Sequence, residues 1–257
     1  MKTRSFFLSC ALIVCLLGCS PQDGDSLAAA NRAYAHGNYL EAQELYQSYI
    51  QTESGGTERW RAWSRLLSIC LDIRSQPQKA LPIVDTMLLE FASSPQRVAE
   101  LSWKRAEILT QVQDNKAAIE AWQKILDDPA FSRAQQWQAV QELYSIFQRQ
   151  QRYALMRDVL AQNTALAPSP EDKLRVQYKL AQVYFLLRNY KEASHSLDDL
   201  LAQENIPAAL EVQAVYLLAE IALEQGKVAD ARKLFLSLKG RYPNPQALRI
   251  RIDALAE

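Results

Sequence analysis

The sequence is poor in the residues that build most catalytic and metal sites. It has two histidines, four cysteines and seven glycines among 257 residues. So few histidines and thiols do not form a Cys/His metal cluster of recognisable spacing, and His36 and His195 fall where solvated side chains are expected, at a helix end and on a polar helix face. The glycine pair Gly55-Gly56 lacks the lysine and the preceding strand of a phosphate-binding loop. We therefore predict no enzyme activity, catalytic residue, metal site or cofactor.

An excess of charge of either sign is also missing. Lysine and arginine together number 29, as do aspartate and glutamate. Nucleic-acid-binding domains normally carry a basic stripe or patch, so we expect no nucleic-acid partner. The uncharged run from Phe6 to Leu17 is too short for a transmembrane helix, which needs about 20 apolar residues. Because Lys2 and Arg4 precede it, the run is typical of the core of a signal peptide.

The end of this run resembles the lipobox of bacterial lipoproteins, in which small residues precede a cysteine that becomes the lipidated N-terminus. The motif is Leu16-Leu17-Gly18-Cys19. The resemblance implies a signal peptide at 1–18, a diacylglyceryl group and an N-acyl chain such as palmitate on Cys19, and a lipidated tether at 19–25. Ser20 stands where an inner-membrane retention signal would have aspartate, which favours a periplasm-facing outer-membrane anchor. The alternative is an ordinary cleaved signal, or a membrane anchor with a chance cysteine.

The rest of the chain repeats with a nearly constant period. One position, small in five of six cases, recurs at intervals of 38 or 37 residues: Ala42, Ala80, Ala118, Met156, Ala193 and Ala231. Twelve residues before each stand Ala30, Ser68, Ala106, Tyr144, Ala181 and Ala219. Four residues after each stand the apolar Tyr46, Val84, Trp122, Leu160, Leu197 and Phe235. A fixed period of this length is the signature of a repeat array.

Each repeat is predicted to be a pair of helices. Ala231, Leu234, Phe235 and Leu238 follow the spacing of one face of an α-helix. Alanine in both helices of a pair lets them cross closely, while larger apolar side chains fill the flanks. No stretch alternates polar and β-branched residues long enough to indicate a strand. The predicted fold class is therefore all-α.

The repeats resemble tetratricopeptide (TPR) repeats. The pattern is clearest in Leu218-Ala219-Glu220-Ile221-Ala222 followed by Gln225 to Ala231, and again in Asn189-Tyr190-Lys191-Glu192-Ala193. The resemblance implies a right-handed α-solenoid of about six helix-turn-helix repeats over residues 26–257. The segment from Pro245 would form a C-terminal capping helix, because an array must cover its last apolar face. TPR units have about 34 residues, and the extra residues fall between the units here.

The resemblance also implies that partners bind along a concave face lined by the first helix of each pair. The repeat register then predicts these partner-binding residues: Asn31, Tyr34, Arg65, Ile69, Asp72, Trp103, Glu107, Gln141, Gln148, Tyr178, Gln182, Phe185, Tyr216 and Glu220. Aromatic side chains with polar neighbours suit an extended peptide or a partner helix. The alternative is that about half of these aromatics only pack against adjacent repeats.

These expectations point to a membrane-anchored periplasmic scaffold or adaptor that binds protein partners in an outer-membrane complex. Two lipoprotein groups have a similar layout: the TPR lipoprotein of the β-barrel assembly machinery (BamD-like), and the pilotin that escorts secretin subunits for type IV pili. The long repeat favours the first group. A chain in neither group, with its own partner, and a glycan- or peptide-binding cell-envelope protein remain alternatives.

Overall fold

The computed structural model describes residues 23–52 and 57–255, and every regular element within them is helical. The α-helices are α1 (Asp23–Ala35), α2 (Tyr39–Thr52), α3 (Thr57–Ser68), α4 (Pro77–Glu90), α5 (Pro95–Gln111), α6 (Asn115–Asp127), α7 (Arg133–Arg149), α8 (Tyr153–Asn163), α9 (Pro170–Leu186), α10 (Tyr190–Leu201), α11 (Ala208–Glu224), α12 (Val228–Ser237) and α13 (Pro245–Asp253). A π-helical turn, Ile69–Ile73, continues α3, and a 3₁₀ turn, Thr164–Leu166, follows α8. The all-α prediction is confirmed.

The predicted signal peptide at 1–18 and the lipidation site Cys19 lie outside the described residues. Helix α1 begins at Asp23, three residues before the expected start of the repeat domain at Ser26, so it takes in the end of the predicted tether at 19–25. In the described part of the chain, no helix is both long enough and apolar enough to cross a membrane.

The chain divides into two compact units, one ending at Ile83 and the other beginning at Val84. In the first unit, α2 packs against both α1 and α3. In the second unit, each helix from α5 to α12 packs against the next along the chain, and α13 packs against α12. Each unit is therefore built from consecutive helical hairpins.

The repeating positions of the sequence are the core of these hairpins. The repeating residue in the second helix of each pair is buried in all six repeats, including Met156, which is 1% exposed. In the first helices, Ala30, Ala106, Ala181 and Ala219 are completely buried. The apolar position four residues after each small residue is at most 2% exposed in every repeat. The period therefore identified the packed residues correctly, except that Ser68 in the second repeat is only partly buried.

The turns inside the hairpins repeat as well. The residue five positions before each small residue has a positive φ: Gly37 (79°), Ser75 (51°), Gln113 (61°), Gln151 (54°), Arg188 (59°) and Gly226 (74°). The turn after α5 is typical, since Gln113 N donates to Thr110 O (3.2 Å) and Asp114 N donates to Leu109 O (3.1 Å). This pair of bonds is a Schellman motif, which ends a helix with one left-handed residue. Only two of the six positions are glycine, so four side chains adopt a conformation that L-residues disfavour.

Replacing Gln113 with glycine should therefore stabilise the protein by about 0.5–1 kcal/mol, because glycine relieves the left-handed strain but adds freedom to the unfolded chain. The matched control is Gln111→Gly, in the last turn of α5, which should destabilise by about the same amount. Urea unfolding of both variants measures the two changes. Equal signs for the two variants would contradict this account of the turn.

The π-helical turn in the second repeat changes the register of α3. Arg74 N donates to Ile69 O (3.0 Å), five residues back, so the turn holds one residue more than an α-helical turn. As a result, Leu67 rather than Ser68 takes the buried place that Ala106 has in the next repeat. The same shift turns Ile69 into the core, where it is fully buried. The prediction that Ile69 lines a partner-binding groove is wrong.

The last helix covers the end of the apolar core. Leu248 and Ile252 of α13 are 3% and 5% exposed and belong to the cluster that contains Phe235 and Leu238 of the last hairpin. Leu255 packs against the same cluster. The predicted C-terminal capping helix is confirmed.

Candidate functional site

A cleft of about 750 Å³ lies in the second unit between the first halves of α5 and α7. Its walls are Pro95, Gln96, Ala99, Glu100, Trp103 and Lys104 from α5, Ala130 and Phe131 from the connector after α6, and Gln135 and Gln138 from α7. This size lies within the range of small-ligand sites, about 300–1,000 Å³. We call it the Trp103 cleft.

Aromatic rings make the floor of the Trp103 cleft and hold one another in place. The half-buried ring of Trp103 meets Trp122 edge to face, with centroids 5.0 Å apart, and lies 6.3 Å from the ring of Phe131. Trp103 Nε1 donates to Glu107 Oε1 (2.8 Å), and Trp122 Nε1 donates to Thr110 Oγ1 (2.9 Å). Trp122 is only 1% exposed, so the packing around it holds it in place, and it in turn supports the ring of Trp103. The floor is therefore formed before any partner arrives.

The connector between α6 and α7 is folded so that it completes this floor. Ala130 N donates to Asp128 Oδ1 (2.8 Å), which makes a tight turn after α6. Gln136 Nε2 donates to Leu126 O (3.2 Å) and so ties the end of α6 to α7. A capping box between Ser132 and Gln135 then starts α7. These local bonds place Phe131, which is 6% exposed, beneath Trp103.

The rim of the cleft is polar, and one of its charges is not neutralised. Lys104 Nζ lies 2.7 Å from Glu107 Oε2, so these two charges pair with each other. Glu100 is exposed, and it makes no ion pair within residues 23–52 and 57–255. Gln96 and Gln138 are exposed amides, while Gln135 uses its oxygen to accept from Ser132 N (3.0 Å) and Ser132 Oγ (2.8 Å).

The middle of the second unit contains five of the predicted groove residues. Gln141 and Gln148 are exposed on α7. On α9, Gln182 Nε2 donates to Tyr178 Oη (3.2 Å), and burial raises the pKa of the Tyr178 hydroxyl. Phe185 lies 5.8 Å from Tyr190. The three α9 side chains are half-buried, so they expose a mixed aromatic and amide surface.

The last two predicted residues are already engaged by the chain itself. The ring of Tyr216 stacks on the ring of Tyr242, with centroids 5.0 Å apart. Burial raises the pKa of the Tyr216 hydroxyl. Glu220 accepts from Arg251 Nε (3.0 Å) of α13 and also from Arg251 Nη2. A smaller cleft of about 540 Å³ lies beside Tyr242, at the place in the last repeat that corresponds to the Trp103 cleft in the third. The connector that contains Tyr242 therefore covers part of the Tyr216 ring, and the capping helix holds the Glu220 carboxylate.

In the first unit, the predicted residues form a separate polar and aromatic cluster. The guanidinium of Arg65 lies 4.4 Å from the ring centroid of Tyr34. Asn31 Oδ1 accepts from Tyr46 Oη (2.8 Å), and burial raises the pKa of the Tyr46 hydroxyl. Asp72 accepts from Ser68 Oγ (2.8 Å). Four of the five predicted side chains of this unit are at least partly exposed, and only Ile69 is not.

Sequence reasoning found Trp103 and Glu107 but missed most of the cleft around them. Glu100 and Gln96 lie one and two turns before Trp103 on α5, at the groove spacing of three to four residues, so the register could have found them. Phe131 comes from a connector, which the repeat register does not describe. No group of three or more His, Cys, Asp or Glu side chains suited to hold a metal ion occurs in the described ranges.

Comparison with known proteins agrees with this architecture. Residues 178–255, from the middle of α9 to the end of α13, match the tetratricopeptide repeat family model. The fold is a tetratricopeptide-repeat fold. The C-terminal part of a TPR repeat-containing protein from Cytophaga hutchinsonii superposes with a TM-score of 0.53 at 16% identity, over 84% of this chain and 78% of that chain. No curated protein matches the sequence.

Two further solved structures are less similar. MamA, from residue 41 to its end, from Desulfovibrio magneticus RS-1 has a TM-score of 0.47 and 16% identity, over 77% of this TPR-fold chain and 96% of MamA. PilW, a widely conserved type IV pilus biogenesis factor, has a TM-score of 0.46 and 15% identity, over 90% of this chain and 98% of PilW. At such low identity, likeness concerns the fold alone.

Proposed function

We propose that this TPR-fold chain is a scaffold or adaptor that binds a protein partner in the Trp103 cleft. The observation that carries the proposal is the aromatic floor of that cleft, supported from below by Trp122 and bordered by the exposed polar side chains of Gln96, Glu100 and Gln138. A floor that is already ordered loses little conformational entropy on binding. Aromatic anchors ringed by polar groups are typical of the energetic centres of protein interfaces.

The proposal extends to the place of action. The lipobox resemblance at Cys19 supports anchoring to the outer membrane on its periplasmic side, and the 38-residue repeat supports a role like that of the TPR lipoprotein of the β-barrel assembly machinery. A pilotin-like role with a secretin, or a glycan ligand stacked on Trp103, would use the same surface. The identity of the captured molecule distinguishes these roles.

The test is site-specific photo-crosslinking in membranes that contain the full-length chain. A crosslinking residue at Gln138, which is exposed on the rim of the cleft, should capture one dominant envelope protein. The matched control is Asp199, which is exposed on α10 away from the cleft and should give no such adduct. Mass spectrometry of the Gln138 adduct then identifies a barrel-assembly subunit, a secretin or another partner.

A Cys19→Ser version of the Gln138 crosslinking chain tests the anchor in the same experiment. It should leave the membrane fraction and lose the adduct, because it has no cysteine to acylate at the lipobox. Capture of the same proteins from Gln138 and Asp199 would contradict a specific cleft. Absence of any protein adduct at Gln138 in correctly localised chains would contradict the scaffold role and favour a small ligand.

A further inference from the structure

We infer that the Trp103 cleft takes an extended peptide segment in which a large apolar side chain stands next to a lysine or arginine. The inference rests on the proposed function, since it concerns the partner of the same cleft. Three features of the cleft carry it: the apolar floor, the uncompensated carboxylate and the amides of the rim.

The floor selects an apolar side chain. Ala99 and Pro95 extend the aromatic surface of Trp103 and Phe131 toward solvent. The polar edge of Trp103 is already used, since its Nε1 donates to Glu107. What the partner meets is therefore ring and methyl surface, whose removal from water is favourable at roughly 25 cal/mol per Å².

The rim selects a basic neighbour for that side chain. Glu107 neutralises Lys104 at 2.7 Å, so the charge left to attract a partner is the carboxylate of Glu100. The start of α7 is capped by its own Ser132 and Gln135, and the first position of α5 is Pro95, which has no N–H. Both features weaken the attraction of these helix ends for an anion. An acidic segment would meet Glu100 without compensation.

The amides select an extended backbone over a helical one. Gln96 and Gln138 each present a donor and an acceptor, and Gln135 keeps its NH₂ group free while its oxygen binds Ser132. An extended segment carries unpaired N–H and C=O groups that such amides can bind. The backbone groups of a helix are bonded to one another, so a partner helix could bind these three amides only through its side chains.

The experiment selects ligands from a random peptide library displayed on phage, using the full-length protein purified from membranes in detergent. Peptides that pair a large apolar residue with lysine or arginine should be enriched. Glu100→Lys should raise the Kd of the selected peptides about fivefold or more and shift a new selection toward acidic peptides. The charge-matched control is Glu120→Lys, at an exposed position on α6, which should leave the Kd unchanged.

A second variant, Ala99→Trp, fills the cleft without removing a buried residue and should abolish binding. Enrichment of acidic peptides, enrichment of nothing, or selected peptides that bind Glu100→Lys as well as the original chain would each overturn the inference. The scaffold proposal would survive any of these results if Gln138 still captured its partner. Conversely, peptide binding as expected without a Gln138 adduct would contradict the scaffold role alone.

Discussion

Replacing Trp122 with alanine should lower the free energy of unfolding by about 3–5 kcal/mol, the cost usual for a large aromatic side chain in a core. Trp122 is the largest fully buried side chain of the described chain. Its loss would leave a cavity between α5 and α6, remove the edge-to-face contact with Trp103, and deprive Thr110 Oγ1 of its donor. Each of these changes destabilises the third repeat.

Urea unfolding measures this loss, and Trp137→Ala is the matched control. Trp137 is half-buried on α7, so its truncation removes less packed surface and should cost about 1 kcal/mol. Because Trp122 supports Trp103, the Trp122→Ala variant should also reduce crosslinking from Gln138 under conditions where the chain stays folded. A loss for Trp122→Ala no greater than that for Trp137→Ala would contradict the central place of Trp122.

The sequence was sufficient to predict the core because equivalent positions of a repeat occupy equivalent environments. The repeat period and the helical spacing between Ala118 and Trp122 place both residues in the packed seam of one hairpin, and both are buried there. The same reasoning placed Leu248 and Ile252 on the covered face of a capping helix. In both cases helical spacing alone decides which side chains point inward.

The candidate site was predicted less completely, for two physical reasons. The repeat register no longer predicts which side chains are exposed where a turn holds an extra residue. The π-helical turn Ile69–Ile73 is such a case, and Ile69 is buried as a result. The repeat register also makes no prediction for the connectors between helices. These connectors supply Phe131 to the Trp103 cleft and the ring of Tyr242 that stacks on Tyr216. One connector completes an open cleft and the other covers a predicted binding residue.

Replacing Ala231 with leucine should destabilise the protein by about 1–3 kcal/mol, because it forces extra carbon atoms into a filled core. Ala231 is completely buried in one cluster with Ala219 of α11 and Phe235 of its own helix. The control Ala229→Leu lies on the same helix at an exposed position and should change stability by no more than about 0.5 kcal/mol. Both variants share any effect of leucine on helix formation. The difference between their stabilities therefore measures the cost of a larger side chain where α12 packs against α11. Equal stability of the two would contradict close packing at Ala231.

The fourth repeat shows what this comparison measures. There Tyr144 and Met156 stand at both of the positions that are alanine in the last repeat, and both are buried. A large side chain is thus accepted at the repeated position when the rest of its hairpin is built around it. The cost at Ala231 should therefore come from its fixed surroundings, Ala219, Phe235 and the residues of α13 that close the cluster, and not from an intrinsic requirement for alanine.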